Sequence, residues 1–290
     1  MWLNKMKKIF ILFVILINSA ASSVFAQQTK QLVIYHTNDT HSCVMPLNKN
    51  LTDTLLAGRA GFLRRVSLIN RERAANPDML LFDSGDFSQG STYYTLYRGD
   101  VEVNLMNMMH YDAVTIGNHE FDFGVENMAR LFKMAKFPIV CANYDFTGTA
   151  LEGLVKSYVI LERNGLKIGV FGLSPILDGL VFAGNFTGVK YEDPVMSAQK
   201  VAHYLKNDAK CDVVICLSHL GWEEKGVDDQ VLVSKTRDID LVLGGHSHTY
   251  FKELRYVKNL DGKEIPNDQN GKNGIFIGKL RLEFEDNYSK

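Results

Sequence analysis

The sequence predicts an α/β protein built as a layered sandwich of two sheets. Five short aliphatic runs each end in a polar loop, and segments with helical spacing of apolar residues lie between them. Continuous apolar runs suit strands covered on both faces, and strands that alternate with helices indicate the α/β class. The pattern recurs in both halves of the chain without a long linker, which favours one layered domain over two independent folds.

The individual elements follow from these patterns. The aliphatic runs predict strands over residues 31–35, 79–82, 113–116, 213–217 and 241–243. Helical spacing covers residues 62–69, which include Leu63, and residues 105–109, 128–135 and 195–205. Methionines and aromatic residues on these helices, such as Met108, are expected in the core. At the C-terminal end, residues 251–257 and 274–284 are predicted to be strands around an Asp261-Gly262 turn.

The first 26 residues are predicted to be a secretory signal peptide that is cleaved after Ala26. Three lysines precede a nine-residue apolar run that is short for a bilayer span, and Ala26 provides a small residue at the cleavage site. The alternative is an uncleaved membrane anchor. We therefore expect residues 27–290 to form one exported domain, periplasmic or secreted, with no stable membrane span after cleavage.

Composition excludes several classes of protein. The chain has 32 basic and 33 acidic residues, a formal charge of −1, so no grip on a nucleic-acid polymer is expected. Its four cysteines form no CxxC pair, which excludes a zinc knuckle or a thioredoxin motif, and we expect free or buried thiols.

The polar loops after the predicted strands carry ligand-type side chains. Six of the eight histidines lie there, and ligand sites of open α/β sheets form at this end of the strands. Three oxygen and four nitrogen ligands are available: Asp39, His41, Asp86, Asn118, His219, His246 and His248. Seven mixed ligands exceed the needs of one ion, whereas two ions about 3.5–4 Å apart that share a carboxylate would use them all. Asp86 is the natural bridge, and without a cysteine ligand soft-metal chemistry is disfavoured.

Together the loops resemble those of the calcineurin-like metallophosphoesterases, most of all the secreted 5′-nucleotidase, UDP-sugar diphosphatase and 2′,3′-cyclic phosphodiesterase branch. The matching stretches are residues 36–42, 85–86, 117–124, 218–221 and 244–249, and residues 278–282 resemble the strand that closes the family's catalytic domain. The resemblance runs from about residue 32 to residue 286. It implies a four-layer α/β/β/α sandwich of two mixed sheets for residues 27–290.

The resemblance also implies a role for each ligand. One ion would be held by Asp39, His41, Asp86 and His248. The second ion would be held by Asp86, Asn118, His219 and His246. His119 would act as the acid/base residue, oriented by Asp122. Purple acid phosphatases have a tyrosine three residues after the bridging aspartate, and Gln89 stands there, so a tyrosinate-coloured iron site is not expected.

The activity that the resemblance implies is 5′-nucleotidase-type hydrolysis of nucleotide phosphate esters by a hydroxide that bridges two divalent ions. The ions could be Mn, Zn, Mg, Co or Ca, although four imidazoles disfavour an all-calcium site. Three alternatives stay open: a phosphodiesterase, another ester hydrolase on the same scaffold, or a weakly active metal-binding subunit. Asp122 could instead cap a helix, and Glu120 could support a metal-bound histidine or be purely structural.

A separate expectation concerns the C-terminal domain that recognises the nucleotide in this family. In the family, a C-terminal domain normally follows and contacts the base and the sugar, and few residues follow positions 278–282 here. The family's C-terminal substrate domain is therefore expected to be absent from residues 27–290. Either a separate C-terminal 5′-nucleotidase domain protein acts in trans, or the protein is a base-indifferent phosphatase, or the chain has been shortened.

Overall fold

Two six-stranded sheets lie face to face in the computed structural model, which describes residues 30–284. In chain order the strands are β1 (Lys30–Thr37), β2 (Leu80–Asp83), β3 (Ala113–Thr115), β4 (Ile139–Val140), β5 (Tyr144–Asp145), β6 (Val155–Lys156), β7 (Tyr158–Arg163), β8 (Leu166–Leu173), β9 (Lys190–Tyr191), β10 (Val213–Ser218), β11 (Leu241–Leu243), β12 (Arg255–Lys258), β13 (Glu264–Asp268) and β14 (Gly278–Phe284). The first sheet has the order β14-β1-β2-β3-β4-β6 and the second β12-β13-β11-β10-β8-β7, while β5 pairs with β9. Both large sheets are mixed, because their inner strands are parallel and their antiparallel strands lie at the edges.

Helices cover the outer face of each sheet. They are α1 (Phe62–Ala75), α2 (Thr92–Tyr97), α3 (Asp100–Met109), α4 (Gly124–Met134), α5 (Pro194–His203) and α6 (Asp229–Ser234). Helices α1, α3 and α4 pack on the first sheet, and α5 and α6 pack on the second. Short 3₁₀ turns occur at His119–Phe121 and Ala183–Phe186, and a π turn extends α5 over Tyr204–Asp208.

The layers follow from the alternation of side chains along each strand. In β10, Ile215 and Leu217 pack against the first sheet, whereas Val214 and Cys216 pack against the helices of the second. Ile34 of β1 meets the same inter-sheet core from the other side. Because successive side chains of a strand point to opposite faces, each apolar strand joins two cores. The structure confirms the four-layer α/β/β/α sandwich.

The five predicted aliphatic runs form β1, β2, β3, β10 and β11. The sequence prediction lacks the β7–β8 hairpin, although β8 is a central strand of the second sheet. Asn164 and Gly165 form its turn, with φ of 51° and 67°. An Asn-Gly pair between apolar runs is a strong hairpin signal, so this turn could have revealed the hairpin.

The predicted C-terminal strand pairing is wrong. The Asp261-Gly262 turn joins β12 to β13 within the second sheet, whereas β14 pairs antiparallel with β1 in the first sheet. Sequence neighbours favour local hairpins, but β14 instead crosses to the other sheet and covers the edge of β1. The two sheets are thereby joined by the C-terminal segment.

Helix α1 buries three of the four apolar residues that predict it, and the prediction is wrong at Leu63. Leu63 is 63% exposed, and Arg65 is buried beside Phe62, Val66 and Ile69. At about 100° per residue, Phe62, Val66 and Ile69 span an arc of about 60°. Arg65 lies about 40° beyond one edge of this arc, and Leu63 lies about 60° beyond the other.

Met108 of α3 does not join the core either. Its side chain is 53% exposed, whereas Val103, Met106 and Met109 of the same helix are buried. The expectation that methionines on the predicted helices lie in the core is therefore wrong at this position.

The four cysteines agree with expectation, since Cys43, Cys141, Cys211 and Cys216 are all buried free thiols. Within residues 30–284, no helix combines the length and the apolar character that crossing a bilayer requires. The predicted signal peptide, residues 1–26, lies outside the described residues.

Candidate metal centre

The predicted ligands converge at the carboxyl ends of strands from both sheets. The loops after β1, β2 and β3 bring Asp39, His41, Asp86 and Asn118 from the first sheet. The loops after β10 and β11 bring His219, His246 and His248 from the second. All seven positions therefore lie at one edge of the sandwich, where parallel strands of both sheets end.

Three groups at this edge have ligand atoms that all lie within 4.8 Å of one another. The groups are Asp39, His41 and His248; His41, Asp86 and His119; and Asp86, His219 and His246. The Nε2 atoms of His41 and His248 are 2.9 Å apart. Adjacent ligands of one ion with bonds of about 2.0–2.1 Å are separated by about 3 Å, so this spacing suits a shared cation.

Asp86 lies between two of these groups. Its Oδ2 is 3.1 Å from His219 Nε2, and its Oδ1 accepts a hydrogen bond from the backbone N–H of His119 at 2.9 Å. His219 Nδ1 donates to the carbonyl of Ser84 at 2.6 Å. Because this bond occupies Nδ1, Nε2 is the ring nitrogen directed at the centre.

Several ligand loops adopt a left-handed backbone that L-residues rarely take. Positive φ angles occur at Asp39 (47°), His41 (41°), Asp86 (55°), His246 (72°) and His248 (57°). Such strain persists where neighbouring contacts hold it, and here the first two loops are bonded together. The N–H of Asp39 donates to Gly85 O at 2.9 Å, and that of His41 donates to Asp86 O at 3.0 Å.

Two glycines allow the loops to approach this closely. A Cβ on Gly117 would lie 2.1 Å from Asp86 Oδ1, and a Cβ on Gly245 would lie 3.0 Å from His219 Nδ1. Real Cβ contacts are longer, so a side chain at either position would displace a candidate ligand.

Asp39 is fixed by donors from both sheets. Its two carboxylate oxygens accept from the backbone N–H of His246 at 3.1 and 3.0 Å. Asn38 Nδ2 donates to Asp39 Oδ2 at 2.6 Å and to Gly271 O at 2.8 Å. No role was predicted for Asn38, and its place beside Asp39 in the first loop is the only sequence signal for one.

Glu120 holds the loop that carries Asp86. One carboxylate oxygen accepts from the N–H of Gly117 at 2.6 Å and of Asp86 at 3.0 Å, and the other accepts from Ser88 N–H at 3.1 Å. Of the two roles left open for Glu120, these backbone contacts favour the structural one.

His119 and Asp122 form a pair at the open side of the centre. His119 Nδ1 lies 3.1 Å from an Asp122 carboxylate oxygen, and about 30% of each side chain is exposed. Helix α4 begins at Gly124 with Phe123 as its N-cap residue, so Asp122 does not cap it. His119 also belongs to one ligand group, so a ligand role competes with the acid/base role.

The pKa values of the two buried aspartates in the centre shift in opposite directions. Burial raises the pKa of Asp39 to about 7. Burial would also raise the pKa of Asp86, but the adjacent His219, together with His119 and His41, outweighs burial and holds that pKa well below its usual range. Burial lowers the pKa of His41 and of His246 to about 4, which keeps both imidazoles neutral, as metal ligands must be.

For His119, burial is the largest influence and lowers the pKa, but the hydrogen bond to Asp122 and the charges of Asp86, Asp122 and Glu120 together outweigh it and leave the pKa raised. The carboxylate therefore favours a protonated imidazole at this position, as a general acid requires.

The site passes a simple test of fit to divalent cations. Among the described residues, Asn118 Oδ1 and His41 Nδ1 are buried atoms without a hydrogen-bond partner. The same holds for His219 Nε2, which lies 3.1 Å from Asp86 Oδ2 but forms no hydrogen bond with it. Such atoms are uncommon in folded proteins, and the binding of an ion is one reason for them. The mixture of imidazoles, carboxylates and an amide suits borderline divalent metals, and no thiolate contributes.

A four-layer sandwich with this ligand rim defines the class of the protein as a phosphoesterase of the metal-binding type. The sequence profile of the calcineurin-like phosphoesterase family matches residues 32–250, and the chain belongs to that family. The resemblance that the loops suggested is thus confirmed. Members of this family are hydrolases of phosphate esters.

Named relatives are similar over most of this chain. The human 5′-nucleotidase is 32% identical over 275 residues, which are 88% of this chain and 47% of the relative. The trifunctional nucleotide phosphoesterase protein YfkN of Bacillus subtilis is 30% identical over 287 residues, 88% of this chain and 18% of the relative. The chain thus spans about half the length of the 5′-nucleotidases that it matches.

Solved structures give the same result. A 5′-nucleotidase precursor from Thermus thermophilus matches with a TM-score of 0.79 and 32% identity, over 88% of this chain and 52% of that one. The NAD nucleotidase of Haemophilus influenzae matches with a TM-score of 0.77 and 26% identity, over 89% and 48% respectively.

Proposed function

We propose that the protein is a two-metal phosphohydrolase that removes phosphate from nucleotides, in the manner of a 5′-nucleotidase. The observation that carries the proposal is the position of Asp86, which belongs to two clusters of ligand atoms, one with His219 and His246 and one with His41 and His119, the histidine that pairs with Asp122. The similarity to proteins named 5′-nucleotidase and nucleotide phosphoesterase supports nucleotides as the substrate class.

Both ions would be held by side chains that the two sheets bring together. The first would bind Asp39, His41, Asp86 and His248. The second would bind Asp86, Asn118, His219 and His246. When bound, the ions supply positive charge at the phosphoryl group and acidify water for attack on phosphorus.

The remaining chemistry belongs to side chains at the open side. The leaving alkoxide needs a proton, and the imidazole of His119, which is about 30% exposed, would donate it. Asp122 holds Nδ1, which leaves Nε2 free to face the substrate. Glu120 and Asn38 act indirectly, because they fix the loops of Asp86 and Asp39.

One set of assays tests the proposal and its alternatives. The protein is dialysed against EDTA, and hydrolysis of AMP, nitrophenyl phosphate and bis-nitrophenyl phosphate is then followed with and without Mn²⁺ or Co²⁺. We expect metal-dependent hydrolysis of both monoesters. Dominant cleavage of the diester would indicate a phosphodiesterase, and full activity in excess EDTA would exclude the two-metal mechanism.

Recognition of the base is a finer proposal. We propose that selectivity for nucleotides needs protein outside the residues described here, supplied by a C-terminal 5′-nucleotidase domain that binds over the metal loops, in trans where it is a separate protein. It is supported by the coverage of about half of each matched 5′-nucleotidase. The test compares kcat/KM for AMP and for ribose 5-phosphate. A preference for AMP of about 10³, roughly 4 kcal/mol, would show that these residues already grip the base.

Export is proposed from the N-terminal pattern. Residues 1–26 would direct the chain out of the cytoplasm and be removed after Ala26. N-terminal sequencing of the mature protein from a cell-envelope fraction should start at Gln27. A chain that keeps its apolar segment and stays with the membrane would support the anchor instead.

A further inference from the structure

Two buried polar side chains outside the three ligand groups lie behind the histidine loops of the second sheet. They are Asp229, the first residue of α6, and Gln269, which follows β13 directly, and they are 1% and 0% exposed. Buried polar side chains need partners within the protein. These two find their partners in residues that stand next to the candidate ligands His219, His246 and His248 in the chain.

Asp229 holds the loop that follows β10. Its carboxylate accepts a hydrogen bond from the hydroxyl of Ser218, the residue directly before His219. The same hydroxyl oxygen accepts from the backbone N–H of Leu220, the residue directly after His219, at 3.2 Å. The backbone N–H of Asp229 donates to Gly221 O at 3.0 Å. Asp229 therefore fixes the backbone on both sides of His219.

Gln269 holds the loop that follows β11. Its Oε1 accepts from the hydroxyl of Ser247 at 3.0 Å, and Ser247 stands between His246 and His248. The hydroxyl oxygen of Ser247 also accepts from the backbone N–H of Trp222, in the loop after β10, at 3.0 Å. Ser247 thus joins the two histidine loops, and Gln269 orients its hydroxyl.

The side chains of Asp229 and Gln269 both flank Gly244, the first residue after β11. A Cβ at this position would lie 2.5 Å from Asp229 Oδ2 and 2.9 Å from Gln269 Nε2, closer than real Cβ contacts. The N–H of Gly244 donates to Asp268 O at 2.8 Å. Because carboxylate, amide and backbone are packed without space for a side chain, a shift of one loop would displace the other.

We propose that Asp229 and Gln269 are positioning residues that set the affinity of the metal centre for the ion held by His219 and His246. The inference rests on the proposed two-metal centre, because it concerns the ligands of one of its ions. Residues that orient ligands typically change metal affinity by roughly 10–100-fold when they are lost. Neither side chain is one of the seven predicted ligands, so each acts through the loop that it holds.

A purely structural role would have a different consequence. Asp229 and Gln269 would then contribute to the free energy of unfolding of the metal-free protein, and the folded protein would bind metal as before. A positioning role instead lowers the metal affinity of protein that is fully folded. Metal affinity and unfolding are therefore measured side by side on the same variants.

Titration with Mn²⁺ tests the proposal without relying on hydrolysis. Gln269→Met removes the amide and keeps the length of the side chain, and Ser218→Ala removes the hydroxyl that Asp229 binds. In titrations of EDTA-treated protein, followed by the EPR signal of free Mn²⁺, each variant should bind one ion about 10–100-fold more weakly and the other with about the parent's affinity. Asn267→Leu changes another buried amide on β13, and this control should lose stability but keep both affinities.

A second pair of variants examines the carboxylate itself. Asp229→Asn keeps an oxygen that can accept from Ser218 and should keep most of the affinity, whereas Asp229→Leu should lose it. If Asp229→Leu does not fold, Ser218→Ala and Gln269→Met keep the test valid.

Unchanged affinity for both ions in Ser218→Ala and Gln269→Met would overturn the proposal and leave the two-metal centre intact. Equal weakening in Asn267→Leu would also overturn it, because the effect would then follow stability. A parent protein that binds fewer than two ions would overturn this inference and the proposed centre together. The Mn²⁺ titration does not depend on whether AMP is hydrolysed.

Discussion

The same two sheets meet in two chemically different regions. Along the middle of the strands the contact is an apolar seam, formed by side chains such as Ile34, Phe82, Ile215 and Leu217. At the carboxyl ends it becomes a polar rim, where Ser84 Oγ donates to the carbonyl of a β11 residue at 2.7 Å. Burial of apolar surface, which is non-directional, stabilises the seam, whereas hydrogen bonds of fixed geometry stabilise the rim.

This difference separates stability from activity along each strand. A change in the seam alters how much apolar surface is buried, and it leaves intact the hydrogen bonds that join the loops of the two sheets at the rim. A change in the rim alters ligand positions and removes little apolar surface. We therefore expect rim variants to lose turnover while folded, and seam variants to lose stability while active. Four predictions sharpen this comparison, from the largest expected effect on activity to the smallest.

Asp86→Ala should lose both ions and all measurable hydrolysis, because the ligand set proposed for each ion includes its carboxylate. Metal content by mass spectrometry and AMP hydrolysis provide the readouts. Asp261→Ala, an exposed carboxylate on the β12–β13 turn, is the matched control and should behave as the parent does. An Asp86→Ala protein that keeps one tightly bound ion would show that Asp86 is not the bridge.

His119→Ala should keep both ions and lose turnover of AMP by about 10²–10⁴-fold, the range for a general acid. The loss should be smaller for nitrophenyl phosphate, because nitrophenolate leaves without a proton. His110→Ala, an exposed histidine at the end of α3, serves as the control. If metal content falls with the activity, His119 is a ligand, as its membership of one ligand group allows.

Glu120→Gln should weaken metal binding by about 10–100-fold, the usual scale for residues that support ligands. The carboxylate of Glu120 accepts hydrogen bonds from backbone N–H groups through both oxygens, whereas a glutamine has one oxygen and one NH₂ group, which cannot accept. The loop of Asp86 therefore loses a backbone contact. The activity should return at high Mn²⁺. Glu126→Gln, exposed on α4, is the control, and activity that stays low at saturating metal would assign Glu120 a role beyond positioning.

Ile215→Ala should reduce the free energy of unfolding by about 2–5 kcal/mol and leave turnover per folded molecule unchanged, because it opens a cavity in the seam. Denaturant unfolding measures the first effect, and activity normalised to folded protein measures the second. Ile160→Ala, partly exposed on the edge strand β7, should cost less. If the Ile215→Ala protein also lost its metal ions, the expectation that seam changes leave the metal centre intact would be wrong.

Much of the site could be predicted from the sequence for a physical reason. Parallel strands place their carboxyl ends at one edge, so ligand-type residues directly after apolar runs must converge there. Asp39, His41 and Asp86 follow this rule, and the structure brings them together. The fold class followed from the same alternation of strands and helices.

Other features depend on contacts that no local pattern contains. Glu120 meets N–H groups of loops more than 30 residues away, and β14 pairs across the sandwich with β1. Arg65 looks like an ordinary surface residue in a helix, but Gly274, from a distant part of the chain, packs against its guanidinium group. These features became visible only when the packing of distant segments was known.

The most direct test of the central claim is the number of ions that the two sheets hold together. After reconstitution with Mn²⁺ and removal of free metal, we predict two ions per chain in the parent protein. We predict one in Asn118→Ala, whose ligand would serve a single ion, and none in Asp86→Ala. A parent protein that binds one ion per chain, with Asn118→Ala unchanged, would contradict a shared two-metal centre.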